Sequence, residues 1–226
     1  MKNILLFSFL ITVLISCKNE KTNLEISPET VVDSNMSIEQ QIAEAHGLNN
    51  FDKIEEIKFT FNVKIEDSVR TSRAWTWNPK TDEIRLTEGD ISRTYTKTNN
   101  INEEDKELDQ KFINDSYWLL FPFQMVWSDA GISEEKTGKA PISKKEMNYL
   151  EVSYNDEGGY TPGDTYVIYY EDDLLLKEWI YKSADGNREM PTTWENFEDF
   201  KGLKIAKSHK SPDGSFELYF TDIEVN

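Results

Sequence analysis

Few side chains in this sequence can act as nucleophile, base or metal ligand, and their spacing limits what they can do. There is one cysteine, Cys17, and there are two histidines, His46 and His209. A nucleophilic triad needs a His base beside a Ser or Cys. His46 precedes Gly47 in a helix-like stretch, and His209 sits in a strand-like run among Lys and Ser. Neither belongs to a nucleophile–base motif, so a structural role is expected for each. A lone Cys cannot form a disulfide within the chain, and one Cys with two His cannot build a zinc cluster. Asp172-Asp173 falls in a turn, where solvated carboxylates are ordinary. Asn155-Asp156-Glu157-Gly158-Gly159 has the flavour of a calcium loop. It lacks the alternating ligands and distal Glu of an EF-hand. No phosphate-binding glycine loop and no nucleophile elbow is present. The expectation is a protein that is not an enzyme, with no catalytic residues, no metal and no cofactor.

Aromatic side chains carry the remaining signal. The stretch Phe112–Trp127 reads FINDSYWLLFPFQMVW and is the densest apolar segment after the N-terminal leader. It is too short, and too polar at its start, to span a bilayer. Pro122 predicts a helix that breaks there and continues extended. The candidate ligand contacts are Tyr117, Trp118, Phe121, Phe123 and Trp127 in this stretch, with Phe59, Phe61, Trp75 and Trp77 on two preceding strands. Such residues either fill a closed core or line a pocket for an apolar molecule. Composition leaves both open.

The elements that position them follow from periodicity. Ser37 with Gln40 fits a capping box, and Ile38, Ile42, Ala45 and Leu48 share a helical face. From Ile57 to Ile65 every odd residue is apolar, which marks a strand with one solvated face. Strands at Val69–Trp77, Ile84–Leu86 and Ile91–Lys97 continue an antiparallel meander through short turns. Asn102 is a candidate N-cap for the helix that runs into Phe112–Trp127. A second meander is expected from Leu150, Tyr166–Tyr170, Leu174–Tyr181, Trp194–Phe200, Leu203–Lys210 and Phe216–Phe220, with hairpins at Asp185-Gly186 and Asp213-Gly214. Ile223 and Val225 switch parity, which predicts a bulge or the end of pairing near Thr221. The count is about ten strands and two or three helices. The net charge of −17 repels phosphates and argues against nucleic acid as a partner.

The N-terminus, MKNILLFSFLITVLISC, has one early Lys, an apolar run and Leu14-Ile15-Ser16-Cys17. It resembles the lipobox of bacterial lipoprotein signals, whose Cys receives a diacylglyceryl group before cleavage. The resemblance implies a signal peptide over residues 1–16, lipidation at Cys17, and membrane attachment through that lipid anchor. Residues 17–36 would then be the lipidated Cys and a flexible tether of roughly 25 Å r.m.s. reach. Residues 37–226 would be a single domain. Lys18-Asn19-Glu20-Lys21 partly resembles a surface-export signal of Bacteroidetes lipoproteins, so the periplasmic or surface face stays open.

Several segments together carry a fold resemblance. They are Ala43-Glu44-Ala45-His46-Gly47, the strand with Phe59 and Phe61, Trp75-Thr76-Trp77-Asn78-Pro79, Phe112 to Phe123, Trp194 to Phe200, and Gly202-Leu203-Lys204-Ile205. Their order resembles that of Bacteroidetes envelope proteins similar in fold to the LolA/LolB lipoprotein carriers. This implies an α+β, mainly β architecture: an antiparallel incomplete β-barrel of about ten strands wrapped around two or three helices. It also implies an outer-membrane lipoprotein that binds a lipid or other apolar ligand without catalysis. No segment matches the membrane-inserting loop of LolB, so lipoprotein transfer is not implied. The alternative is a filled-core interaction module with an envelope protein partner.

Overall fold

The apolar stripe after Ser37 forms α1 (Ile38–Ala45), and Leu48–Phe51 adds a single turn, α2. Ser37 occupies the N-cap position, but the expected capping box is absent. Its hydroxyl bonds Glu39 at 2.5 Å, and the Gln41 amide reaches back to the Met36 carbonyl. The computed structural model describes residues 36–155, 160 and 162–226. Cys17, the leader, the tether up to residue 35 and most of the Asn155–Gly163 loop lie outside the described residues.

Strict alternation makes β1 (Ile57–Ile65), which buries Ile57, Phe59 and Phe61. β2 (Ser68–Asn78), β3 (Glu83–Glu88) and β4 (Ile91–Thr96) follow as the expected meander, with Phe59 opposite Trp75 and Ile84 opposite Tyr95. The chain then enters α3 (Lys106–Trp127). The residue at its N-cap is Asp105, not Asn102. The Asn102 side chain instead accepts a hydrogen bond from the Asp105 N–H at 2.9 Å, closing the turn before the helix.

The helix does not end at Pro122. It kinks at Leu120 (φ −125°, ψ 25°) and runs on to Trp127. Proline inside a helix costs about 3 kcal/mol. Beyond the kink, Phe121, Phe123 and Met125 are each at most 3% exposed. Burial contributes about 1.5–3 kcal/mol for each such side chain, which outweighs the proline penalty.

Two short strands absent from the sequence reading come next, β5 (Gly131–Ile132) and β6 (Lys136–Lys139). They pair with opposite ends of the same edge of β7 (Glu146–Ser153), so together they act as one interrupted edge strand. β8 (Thr165–Tyr170) is apolar almost throughout because both its faces are covered. Tyr166, Ile168 and Tyr170 face the main core, while Val167 and Tyr169 join a small cluster with Ala140 and Met147. β9 (Leu176–Lys182) and β10 (Glu189–Thr193) form the Asp185-Gly186 hairpin.

The strands of the second meander are shared between two sheets. After Trp194 the chain passes from β10 into β11 (Glu195–Phe200), then β12 (Leu203–Lys210) and β13 (Phe216–Val225). β13 pairs with β1, giving the order β11-β12-β13-β1-β2-β3-β4 in one sheet and β10-β9-β8-β7-β5 in the other. The two are linked at Trp194, whose N–H bonds the Lys177 carbonyl at 2.7 Å. The result is an antiparallel, incomplete barrel, mainly β, whose ends at β4 and β5–β6 do not pair among the described residues. The parity switch is a real bulge. Lys58 pairs with Glu224 and Thr60 with Thr221, so β13 has one residue more, and Asp222 takes φ 53°.

Two of the sequence segments meet directly. Gly47, at φ 101°, lies so close to Gly202 that a Cβ on it would stand 1.9 Å from the Gly202 carbonyl oxygen. Beside this contact the His46 carbonyl accepts the Lys204 N–H at 2.9 Å, which fixes α1 against β12.

Candidate functional site

α3 runs through the interior and packs on both sheets. Leu108, Phe112, Leu119, Leu120 and Phe123 join the core of the first sheet, and Phe121 and Met125 that of the second. Two carboxylates hold its N-terminal half in place. Asp115, fully buried, receives Arg73 through Nε at 2.7 Å and Nη2 at 2.5 Å, and the Trp75 indole N–H at 2.8 Å. Burial raises its pKa, and the Arg73 charge opposes that shift. Asp109 receives the hydroxyls of Tyr95 at 2.8 Å and Tyr160 at 2.5 Å. Tyr160 is pushed up to about 12, first by desolvation and then by this bond.

Where α3 faces β8 and Tyr154, the residue after β7, the packing leaves a cleft of about 470 Å³. That is the size range of small-molecule sites. Its aromatic lining is Tyr117, Trp118, Tyr154, Tyr160 and Tyr166. Tyr117 and Tyr166 have ring centroids 5.2 Å apart, and Trp118 lies edge-on to Trp179 at 4.5 Å. Gln110, Asn114, Gln124 and Ser128 supply polar groups, and Ile113 is the one aliphatic contributor among the described residues. No acid or base lines the cleft among the described residues. The Tyr117 and Tyr154 hydroxyls share a bond of 2.8 Å, and Ser128 Oγ lies 3.3 Å from Tyr154 while bonding the Gln124 carbonyl at 2.5 Å. Ser128 has a single proton, so a one-way relay from Tyr117 through Tyr154 and Ser128 to that carbonyl satisfies each hydroxyl. Burial pushes the Tyr117 and Tyr166 hydroxyls far above their ordinary value, so both stay neutral at physiological pH.

Of the nine aromatic candidates, Tyr117 and Trp118 line this cleft. Phe59, Phe61, Trp75, Phe121 and Phe123 are at most 2% exposed and contact other core side chains. Trp77 packs beside Phe51 and Phe112. Trp127 is 41% exposed and sits edge-on to Phe51 at 4.6 Å. Sequence reasoning missed Tyr154, Tyr160, Tyr166 and the amides. A signal was present: Gln110, Asn114, Tyr117, Gln124 and Ser128 follow at steps of three, four and seven, one face of a helix. That stripe exists only if the helix continues past Pro122.

Both histidines are buried inside the fold. His46 Nδ1 donates to the Lys204 carbonyl at 3.2 Å and Nε2 accepts the Leu176 N–H at 3.3 Å. His209 Nδ1 donates to the Thr193 carbonyl at 3.1 Å. Burial lowers His46 to about 4 and His209 to about 3, so both are neutral. No three His, Cys, Asp or Glu residues converge on a possible metal position among the described residues. The arrangement can bind a molecule, position it and exclude water.

No helix among the described residues is long and apolar enough to cross a membrane. No family model matches the sequence, and no curated protein matches it. Solved structures with a similar chain course include a LolA superfamily protein from Nitrosomonas europaea, at 11% identity and a TM-score of 0.49. Others are a DUF1329 family protein from Desulfovibrio piger, at 9% and 0.43, and a domain described as an outer membrane lipoprotein-sorting protein from Vibrio parahaemolyticus, at 12% and 0.46. Each likeness covers 84% of this chain and 94% of the other. The fold stands on the strand pairing described above, and the reading of the site stands on its own geometry.

Proposed function

We propose that this chain is a lipid-anchored protein of the cell envelope, tethered through Cys17, that binds an uncharged, partly apolar ligand without catalysis. The observation that carries the binding reading is the aromatic cleft of about 470 Å³ along α3, with no acid or base among its described lining residues. Tyr117 and Trp118 are the ligand contacts retained from the sequence candidates. A charged group entering such a lining would find no counter-ion among the described residues and would lose its hydration. The anchor rests on the lipobox-like Leu14-Ile15-Ser16-Cys17.

Residues 18–226 include the whole compact unit Ser34–Asn226 and are the material for the test. Titration with 1-decanol, monocaprin and octyl β-glucoside, followed by tryptophan fluorescence and native mass spectrometry, is expected to give a saturable one-to-one complex with at least one of them. A clean apo mass with unchanged fluorescence for all three would remove the binding reading. The anchor is separate: Cys17→Ser should abolish labelling by radioactive palmitate, and persistent labelling would overturn it.

A second reading has its own support. α3 fills the interior with Phe121 and Phe123, as expected of a scaffold whose work is done on the outside. A stoichiometric partner recovered from solubilised envelopes, together with no ligand uptake, would favour that interaction module.

A further inference from the structure

Resting on the binding reading above, we infer that the α3 cleft takes a neutral pyranose ring, with its C–H face on Trp118 and its hydroxyls on the amides of Gln110 and Gln124. The lining separates this class from an acyl chain. A pocket built for methylene groups is mostly apolar, with few polar anchors. Here one aliphatic side chain, Ile113, stands among primary amides, tyrosine hydroxyls and Ser128. Neither the Gln110 nor the Gln124 side chain has a hydrogen-bond partner among the described residues, and Asn114 spends only its N–H, on Asp115 at 2.9 Å. Each free amide offers both donor and acceptor. A hydroxyl answers both, and an alkyl chain answers neither. The hydroxyl-bearing side chains of Tyr117, Tyr154 and Ser128 belong to the same lining.

The aromatic groups fit the same ligand. The face of an indole or phenol ring is electron-rich and attracts positively polarised hydrogens. The C–H bonds on one face of a pyranose present such hydrogens, while its hydroxyls point outward around the ring. Charge sets the remaining boundary. Among the described residues the lining has no cation to meet a carboxylate or phosphate, and the chain's net charge of −17 repels both. Uronic acids, fatty acids and phosphorylated sugars are therefore excluded, and neutral hexosides fit. The ring can come from a glycolipid headgroup or from a free glycan.

The test uses residues 18–226 with methyl glucoside, galactoside, mannoside and N-acetylglucosaminide, octyl β-glucoside below its micelle concentration, and 1-decanol. Saturation-transfer NMR and tryptophan fluorescence report binding. At least one pyranoside is expected to saturate the cleft and to receive saturation through its ring protons. Gln124→Leu should weaken it about three- to tenfold, the size of one neutral hydrogen bond, and Trp118→Ala should weaken it by about tenfold or more. Gln110 is exposed, so Gln110→Leu keeps the test intact if Trp118→Ala fails to fold. Methyl glycosides that bind as tightly as octyl glucoside point to a free glycan, and octyl glucoside alone points to a glycolipid headgroup. Saturable 1-decanol without any pyranoside overturns the saccharide and leaves the binding reading standing. No binding of any probe overturns both. Pyranoside affinity unmoved by both Gln variants also overturns the assignment.

Discussion

Acidification from pH 8 to pH 5 should withdraw about 4 kcal/mol of stability that the two buried, neutral histidines contribute. Each has an ordinary value of 6.5, lowered on folding to about 4 for His46 and about 3 for His209. The folded state thus binds fewer protons than the unfolded chain below pH 6.5. Stability is full above 6.5 and is lost as pH falls toward the folded values. At pH 5 the unfolded imidazoles sit 1.5 pH units below their ordinary value, worth about 2 kcal/mol for each histidine. The environments differ. His46 faces Lys204 and Lys177, which oppose its charge, and Asp173, which favours it. His209 lies among Trp118, Trp194 and Phe220, and its Nε2 has no partner among the described residues. Relief of self-repulsion in so acidic a chain acts in the opposite direction. The difference between wild type and His209→Phe isolates the histidine term. Urea unfolding followed by tryptophan fluorescence at pH 8, 7, 6 and 5 should show His209→Phe losing about 2 kcal/mol less than wild type. Equal losses, or an imidazole resonance titrating near its ordinary value, would refute the buried-neutral assignment.

Other perturbations probe the frame around the cleft. Gly47→Ala puts a Cβ 1.9 Å from the Gly202 carbonyl oxygen at φ 101°, so thermal unfolding should show a loss above about 2 kcal/mol. Arg73→Ala strands the buried Asp115 carboxylate and should cost about 3–5 kcal/mol, whereas Arg73→Met with Asp115→Leu should recover much of it. A double variant as unstable as the single one would show that shape, not charge, holds α3 there. Phe121→Ala removes a ring with no exposure and should cost about 3–5 kcal/mol in urea unfolding.

The legible parts of the fold are those fixed by neighbours in sequence. β1 falls at Ile57–Ile65 because alternation alone defines it, and the bulge at Asp222 follows from a parity switch visible in the string. Pairing of β13 with β1 joins residues more than 150 apart, and no local pattern records it. β11 falls where Trp194–Phe200 predicts a strand, but β10 (Glu189–Thr193), with Met190-Pro191 followed by two Thr, carries no apolar alternation that announces it. β5 and β6 are short and rich in Gly and Lys, so nothing in them reads as a strand. Asp109 and Asp115 look like the solvated face of a helix until Tyr95, Tyr160 and Arg73 arrive from elsewhere.

The cleft and the filled core are consequences of one helix. A helix ended by Pro122 would have left Gln124 and Ser128 in unrelated positions. Because packing of Phe121, Phe123 and Met125 outweighs the proline penalty, α3 continues, and its other face carries the stripe from Gln110 to Ser128 past Tyr154 and Tyr166. The apolar face fixes the helix rigidly between the two sheets, and that rigidity holds the polar-aromatic face open. A flexible lining would collapse onto the space, since unsatisfied amides and bare rings gain by meeting one another. Asp109 and Asp115 reinforce this at the N-terminal half, where apolar packing thins out, by tying α3 to β4 through Tyr95 and to β2 through Arg73 and Trp75. The plug is therefore also the wall of the site, and variants that loosen α3 should weaken binding even where they touch no ligand.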